Sequence, residues 1–270
     1  MRDKTVLITG STDGVGRYVA IALARRGAKV LIHGRDTARA RAVMTEIANA
    51  GGIAEFYPAD LGSLAEVRAL ADVITEDHAR LDLLINNAGL GTRSGGPHRR
   101  ASADGHELRF AVNYLAGFLL TRMLLPLMRR STPARIVNVA SAGQAPIDFD
   151  DVMLVRRYDG AQAYMQSKLA QVMFTIDLAE ELAGSGITVN ALHPATYMAT
   201  TMVREAGVSP ASTVEEGAQA ILNLALSAAL EGRSGLYFDR LQETRANPQA
   251  YDAGARRRLR ELSLRLTGLA

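Results

Sequence analysis

Tyr164 and Lys168 stand four residues apart in AYMQSKLAQV (163–172), inside a long segment of helical apolar periodicity. On a helix, residues i and i+4 share a face. A phenol and an ammonium one turn apart can act together on a proton. Free tyrosine has a pKa of about 10, too high for efficient acid–base work at neutral pH. A neighbouring ammonium favours the phenolate and draws that pKa down. Taken alone, the pair is better read as a half-buried tyrosine beside a solvated lysine, so the rest of the chain must decide.

A second chemistry-bearing group is Thr9-Gly10-Ser11-Thr12-Asp13-Gly14-Val15-Gly16, which follows a β-rich apolar run (TVLIT, 5–9) and opens a helical pattern. Gly10 permits a tight turn, Gly14 lets the backbone approach a pyrophosphate, and Gly16 lets the helix pack close to the strand. The helix N-terminus offers N–H groups and partial positive charge to phosphates. The next apolar run ends at Ile32-His33-Gly34-Arg35-Asp36. A carboxylate at that strand end would hold the adenosine ribose 2′-hydroxyl and repel a 2′-phosphate. Gly34 stands there instead, followed by Arg35, which suits a bidentate phosphate contact. NADP(H) is therefore favoured over NAD(H), which stays possible because Asp13 places an acid in the turn. Asp36 reads as a helix N-cap. Asp60-Leu61 closes the third run, where the carboxylate either accepts from an adenine amino group or caps a loop. Asn86-Asn87-Ala88-Gly89 closes the fourth with small residues and amides that suit close cofactor approach.

The elements that position these residues follow from alternation. Seven short runs (5–9, 30–32, 53–58, 83–85, 136–139, 188–192 and 236–238) are separated by segments long enough for crossover helices. This predicts an α/β fold, a single Rossmann-type doubly wound parallel sheet of about seven strands with helices on both faces. The runs are continuous rather than alternating, as in strands buried on both sides. With no linker, repeat or low-complexity tract, residues 1–270 read as one dinucleotide-binding catalytic domain. Its core is 4–238, and 239–270 is a C-terminal helical extension. That extension carries Leu259, Leu262, Leu266 and Leu269 on one face and a solvated Arg-rich face opposite. The segment holding Tyr164 has two apolar stripes, one with Leu169, Val172 and Met173, the other with Phe174, Leu178 and Leu182. One meets the sheet; the other meets either a second subunit or a neighbouring helix of the same chain.

Composition narrows the classes. Of 270 residues, 48% are hydrophobic and 22% charged, which excludes a disordered chain. No cysteine is present, which excludes disulfides, thiolate metal sites and cysteine nucleophiles. The five histidines lack metal-ligand spacing, so no metal is expected. A net charge of +3 with dispersed basic residues and 5% aromatics argues against nucleic-acid binding. The start, MRDKTVLITG, runs into a strand without a signal-peptide pattern. The apolar stretch 110–128 is interrupted by Asn113, Arg122 and Pro126, so it reads as a buried helix and not a membrane span. A cytoplasmic location is expected.

Together TGSTDGVG (9–16), DL (60–61), NNAG (86–89), Asn113, Ser141 in VNVASAG, YMQSK (164–168) and His193-Pro194 make the chain resemble the short-chain dehydrogenase/reductase family from about Lys4 to Phe238. YMQSKLAQVMF and VNALHP are especially similar to its retinol-dehydrogenase-like branch. The resemblance implies a tetrad of Asn113, Ser141, Tyr164 and Lys168. In it Ser141 holds the carbonyl oxygen and Tyr164 protonates that oxygen as hydride arrives. Lys168 also binds the nicotinamide ribose, and Asn113 holds a water behind it. It further implies cofactor contacts from Gly10, Ser11, Asp13, Gly14, Val15, Gly16, Arg35, Asp60, Leu61, Asn87, Ala88, Gly89, Tyr164, Lys168, Pro194 and Thr196. Two departures stand out: Ala195 replaces the usual glycine, and Ser141 and Tyr164 are 23 positions apart, a longer gap than in many members. The implied activity is NADP(H)-dependent interconversion of an apolar alcohol and its carbonyl. The alternatives are an epimerase, dehydratase or cyclase on the same fold, or a non-catalytic cofactor-binding protein. Three segments should wall the substrate: 90–103 with Gly91, Gly95, Gly96 and His98-Arg99-Arg100, then 144–161, then 196–212. In the last, Tyr197, Met198 and Met202 form either an apolar lid or a surface helix. A homodimer or homotetramer is expected from the apolar helices at 110–128 and 161–183.

Overall fold

The computed structural model describes residues 1–93, 96 and 98–270. Seven strands run parallel: β1 (Thr5–Ile8), β2 (Lys29–Gly34), β3 (Ile53–Pro58), β4 (Leu83–Asn86), β5 (Ala134–Val139), β6 (Ile187–His193) and β7 (Tyr237–Asp239). These are the seven runs expected from the sequence. An eighth, β8 (Gln242–Thr244), pairs antiparallel with β7. Its three residues are polar and exposed, so no apolar pattern announces it, and it lies in the part expected to be helical. The order is β3-β2-β1-β4-β5-β6-β7-β8. Chain direction across the sheet reverses between β1 and β4, and this opens a crevice at the strands' carboxyl ends.

Helices cover both faces with separate cores. On one side α1 (Gly14–Ala24), α2 (Thr37–Asn49) and α8 (Val214–Leu226) bury Val19, Leu23, Val43 and Ile221. On the other, α3 (Leu64–Asp77), α5 (Ala116–Arg129) and α6 (Gly160–Glu181) bury Leu70, Leu119 and Met173. The helix α4 (Leu108–Phe110) runs through a π-helical turn (Ala111–Leu115) into α5. This span, Leu108–Arg129, is the one helix among the described residues long and apolar enough to cross a membrane, and 72% of its most apolar window is buried inside the fold.

Asp159 starts α6 by accepting from the Ala161 and Gln162 N–H groups at 2.7 and 2.8 Å. Every residue from Gln166 to Leu178 is buried, so this helix has no solvent face over that length. Each fully buried Leu, Val or Met along it contributes about 2 kcal/mol. One side rests on the sheet. The other meets α9 (Ala253–Leu266) of the same chain, the second of the two arrangements the stripes allowed. Tyr114 and Ser263 hydroxyls bond at 2.7 Å, and Arg256 and Arg260 pair with Glu180 and Asp177 at 2.7 and 3.3 Å. The Arg-rich face of α9 is therefore only partly solvated, with Arg256 8% exposed. The apolar face of α6 that suggested a homodimer or homotetramer is thus occupied within the chain.

Candidate active site

A cavity of about 1290 Å³ opens at the carboxyl ends of the strands. Gly10, Asp13, Gly14, Val15, Gly16, Arg35, Asp60, Leu61, Asn87, Ala88, Gly89, Ser141, Tyr164, Lys168, Pro194 and Thr196 all line it. Ser11 does not. It is fully buried, its hydroxyl donates to the Ile8 carbonyl at 2.8 Å and accepts from the His33 N–H at 3.0 Å. The Ser11 side chain fastens the turn from behind.

The glycine turn is a cradle shaped by missing side chains. Gly10 and Gly14 take left-handed φ values of 65° and 55°. A Cβ on Gly16 would lie 2.5 Å from Asn87 Nδ2 and closer still to the Gly10 carbonyl. Asn87 Nδ2 donates to the Thr9 and Gly10 carbonyls at 2.8 and 3.1 Å, which ties the turn to β4. Asp13 caps α1 through the Gly14 N–H at 2.7 Å. Its other oxygen pairs with Arg39 at 3.1 Å. The cradle fits a dinucleotide's pyrophosphate. At its far end Arg35 is 69% exposed and 3.6 Å from Asp60. Asp60 also accepts from the Gly62 N–H at 2.9 Å, and Asp36 caps α2 through Arg39 N–H at 3.0 Å.

His33 was not expected here, although a histidine in the buried run LIHG is itself a signal. Its Nδ1 accepts from the Gly10 N–H at 3.1 Å. Burial, against the pull of the Ala59 carbonyl, lowers its pKa from 6.5 to about 4. The unfolded chain takes this proton near pH 6.5, while the folded chain resists it until about pH 4. Stability present above pH 6.5 should therefore fall by about 3 kcal/mol as pH drops through that window. Urea unfolding from neutral pH down to about 4 should show this loss. His33→Asn, which keeps an acceptor for Gly10 without titrating, should flatten it.

At the reacting end, Ser141 follows β5. Its hydroxyl accepts from the Gly143 N–H at 3.0 Å. A Cβ on Gly143 would lie 3.5 Å from Ser141 Oγ and 3.7 Å from Tyr164 Cε1, so the two side chains share this corner of the cavity. The Lys168 Nζ lies 5.8 Å from the Tyr164 ring centroid and donates to the Val139 carbonyl and Gln171 Oε1, both at 2.9 Å. Burial pulls Lys168 down to about 7. Burial raises Tyr164, with the neighbouring Ser141 hydroxyl opposing. This reverses the direction expected from the sequence. Desolvation depletes the ammonium charge, and Nζ lies over the ring face.

Asn113 sits in the π-helical turn, a geometry frequent at functional sites. It stands behind the cavity wall. Its Oδ1 accepts from the Leu90 N–H at 2.7 Å, and its Nδ2 donates to the Leu90 carbonyl and Ser167 Oγ at 3.1 and 2.9 Å. A Cβ on Gly89 would lie 3.3 Å from Asn113 Oδ1 and 3.4 Å from Lys168 Nζ, so this glycine lets both approach.

All three expected wall segments reach the cavity, through Leu90–Arg93 and Gly96, through Asp159–Ala161, and through Thr196–Met198 and Met202. Gly95 lies outside the described residues. The third segment contains α7 (Thr201–Glu205) and is joined to the glycine turn by Thr201 Oγ1 donating to Asp13 at 2.8 Å. Of the basic trio, Arg99 donates to the Met153 carbonyl at 2.8 Å and so joins two walls.

The short chain dehydrogenase family model matches residues 4–209. Retinol dehydrogenase 13 of Mus musculus is 38% identical over 99% of this chain and 84% of its own length. An uncharacterised protein of Mycobacterium Paratuberculosis superposes with a TM-score of 0.81 at 32% identity, covering 99% of this chain and 94% of that one. A short chain dehydrogenase of Escherichia coli CFT073, solved with NADPH, gives 0.73 at 27% identity over 90% and 98%. A dinucleotide cradle opposite a Ser–Tyr–Lys cluster agrees with these likenesses: the chain belongs to the short-chain dehydrogenase/reductase family, on its retinol-dehydrogenase-like branch, and is an NAD(P)-dependent oxidoreductase acting on CH–OH groups.

Proposed function

We propose that the enzyme interconverts an apolar alcohol and its aldehyde or ketone with NADP(H), using Asn113, Ser141, Tyr164 and Lys168. The observation that carries this reading is the meeting of Ser141, Tyr164 and Lys168 on one wall of the cavity, with the buried Lys168 amine 5.8 Å from the Tyr164 ring centroid. The bound nicotinamide supplies or takes up the hydride. Ser141 holds the substrate oxygen, and Tyr164 gives it a proton in reduction and removes one in oxidation. Lys168, poised near neutrality, returns a proton toward Tyr164 and holds the nicotinamide ribose. Asn113 fixes the Leu90 backbone and orders the relay behind Lys168. Val112, Met165, Met202, Val203 and Val208 give the substrate side an apolar lining.

Purified protein with NADPH and a panel of aliphatic, aromatic and polyene aldehydes tests this reading. The retinol dehydrogenase relatives put a polyene aldehyde first. Cofactor oxidation tied to alcohol formation is the expected result. Failure to bind either nicotinamide cofactor would remove the redox assignment. Calorimetry should show NADPH preferred over NADH. Arg35→Ala should lose about ten- to a hundredfold of NADPH affinity with little change for NADH, the worth of charge-assisted hydrogen bonds to phosphate.

A further inference from the structure

Behind the substrate side of the cavity lies a buried ion pair with no part in the proton chemistry. Arg109 is 1% exposed and Glu107 0%. Arg109 Nε donates to the Gly91 carbonyl at 2.9 Å and Nη2 to the Thr92 carbonyl at 2.8 Å. Its Nη1 donates to the Tyr158 hydroxyl, which in turn donates to Glu107 Oε1 at 3.3 Å. Glu107 Oε2 accepts from the Phe110 N–H at 2.7 Å. The guanidinium and carboxylate lie 3.7 Å apart. One planar guanidinium thus grips two loops that approach from different strands, the segment after β4 and the segment before α6. A Cβ on Gly160 would lie 2.8 Å from the Thr92 carbonyl, so the loops already touch where Arg109 joins them. Gly91, Thr92 and Gly160 all line the cavity.

Burying a charge pair is costly, and a pair retained in an interior gives geometric definition more than stability. Arg109 also turns two wall carbonyls away from the cavity, since Gly91 and Thr92 accept on its side. The segment 196–212 has no comparable buried anchor among the described residues; the Thr201 hydroxyl contact and the approach of Thr200 to Gly14 tie it to the glycine turn. Tyr197 in that segment takes a left-handed φ of 46° and is 53% exposed.

We infer that Arg109 is a positioning residue that fuses two of the three substrate walls into one rigid unit and so sets which substrate lengths and shapes the enzyme accepts. The third wall is the adaptable one. The inference rests on the proposed carbonyl reduction only for its kinetic readout.

Amide hydrogen exchange on the full-length protein tests the mechanical part without activity. Arg109→Met should speed exchange at residues 90–92 and 159–162 together and leave the glycine turn at 9–16 unchanged. Tyr158→Phe, a milder change at the same node, should do the same to a smaller degree. Exchange that stays as in the wild type at either loop, or rises equally at 9–16, would overturn the inference. In turnover, the wild-type ratio of kcat/KM between a long and a short straight-chain aldehyde should shrink about tenfold in Arg109→Met and less in Tyr158→Phe, through KM, with NADPH affinity kept. Activity that falls with the ratio unchanged marks a stability role and overturns the specificity claim. A wild-type enzyme that reduces no aldehyde removes the proposed function, while the exchange result still decides the inference.

Discussion

Tyr164→Phe should abolish turnover of alcohols and aldehydes while leaving NADPH affinity intact. The substitution keeps the ring and removes only the hydroxyl, so packing around α6 hardly changes. Ser141 retains its hydrogen bond from the Gly143 N–H and stays in place. What disappears is the acid that meets the substrate oxygen. General acid–base catalysis contributes about a hundred- to ten-thousandfold, and loss toward the upper end is expected because Tyr164 supplies the phenol that shares the Ser141 corner of the cavity. Single-turnover oxidation of bound NADPH, paired with calorimetry, separates the chemical step from binding. A variant that binds cofactor and keeps about a tenth of its rate would move the acid to another group. Tyr197, close enough to act electrostatically on Tyr164, is the first to test.

Gly16→Ala should be nearly as damaging for a different reason. The added methyl would enter space held by Asn87 Nδ2 at 2.5 Å and by the Gly10 carbonyl. Neither yields cheaply. Gly10 is confined by Ala88, whose Cα would lie 2.9 Å from a Cβ there, and Asn87 is committed to the Thr9 and Gly10 carbonyls. Helix α1 itself tolerates alanine well. The expected result is a cofactor affinity reduced about a hundredfold, or roughly 3 kcal/mol, with far-UV circular dichroism unchanged. Wild-type affinity would mean that α1 shifts as a body and that the cradle is wider than its contacts imply.

The parallel strands were legible because burial on both faces writes continuous apolar runs. β3 at the sheet edge is only partly buried, and its weaker run still marked residues 53–58. β8 was silent because an exposed three-residue edge needs no apolar side chain. The candidate site was legible where a motif abuts a strand end, as in NNAG after β4 or Ser141 after β5. It was illegible where direction or distance in space decides. Motif spacing could not say that the Ser11 side chain points back into the sheet. The four-residue step from Tyr164 to Lys168 gave proximity but not burial, so it gave the wrong direction for the phenol. Arg109 meets Tyr158 across 49 positions, and nothing local in ELRFAVN predicts that contact.

The helix α9 also changes how this surface meets other molecules. Thr267, just past its end, accepts through its carbonyl from Arg68 on α3, so the segment is tied at both flanks of the helix layer. A tethered segment competes for its site at an effective concentration of about millimolar. Any second protein approaching Phe118 and Phe174, whose rings sit 5.0 Å apart beneath it, would have to displace a ligand that never diffuses away. Here the aromatic surface a partner would need is already covered by the chain's own last helix.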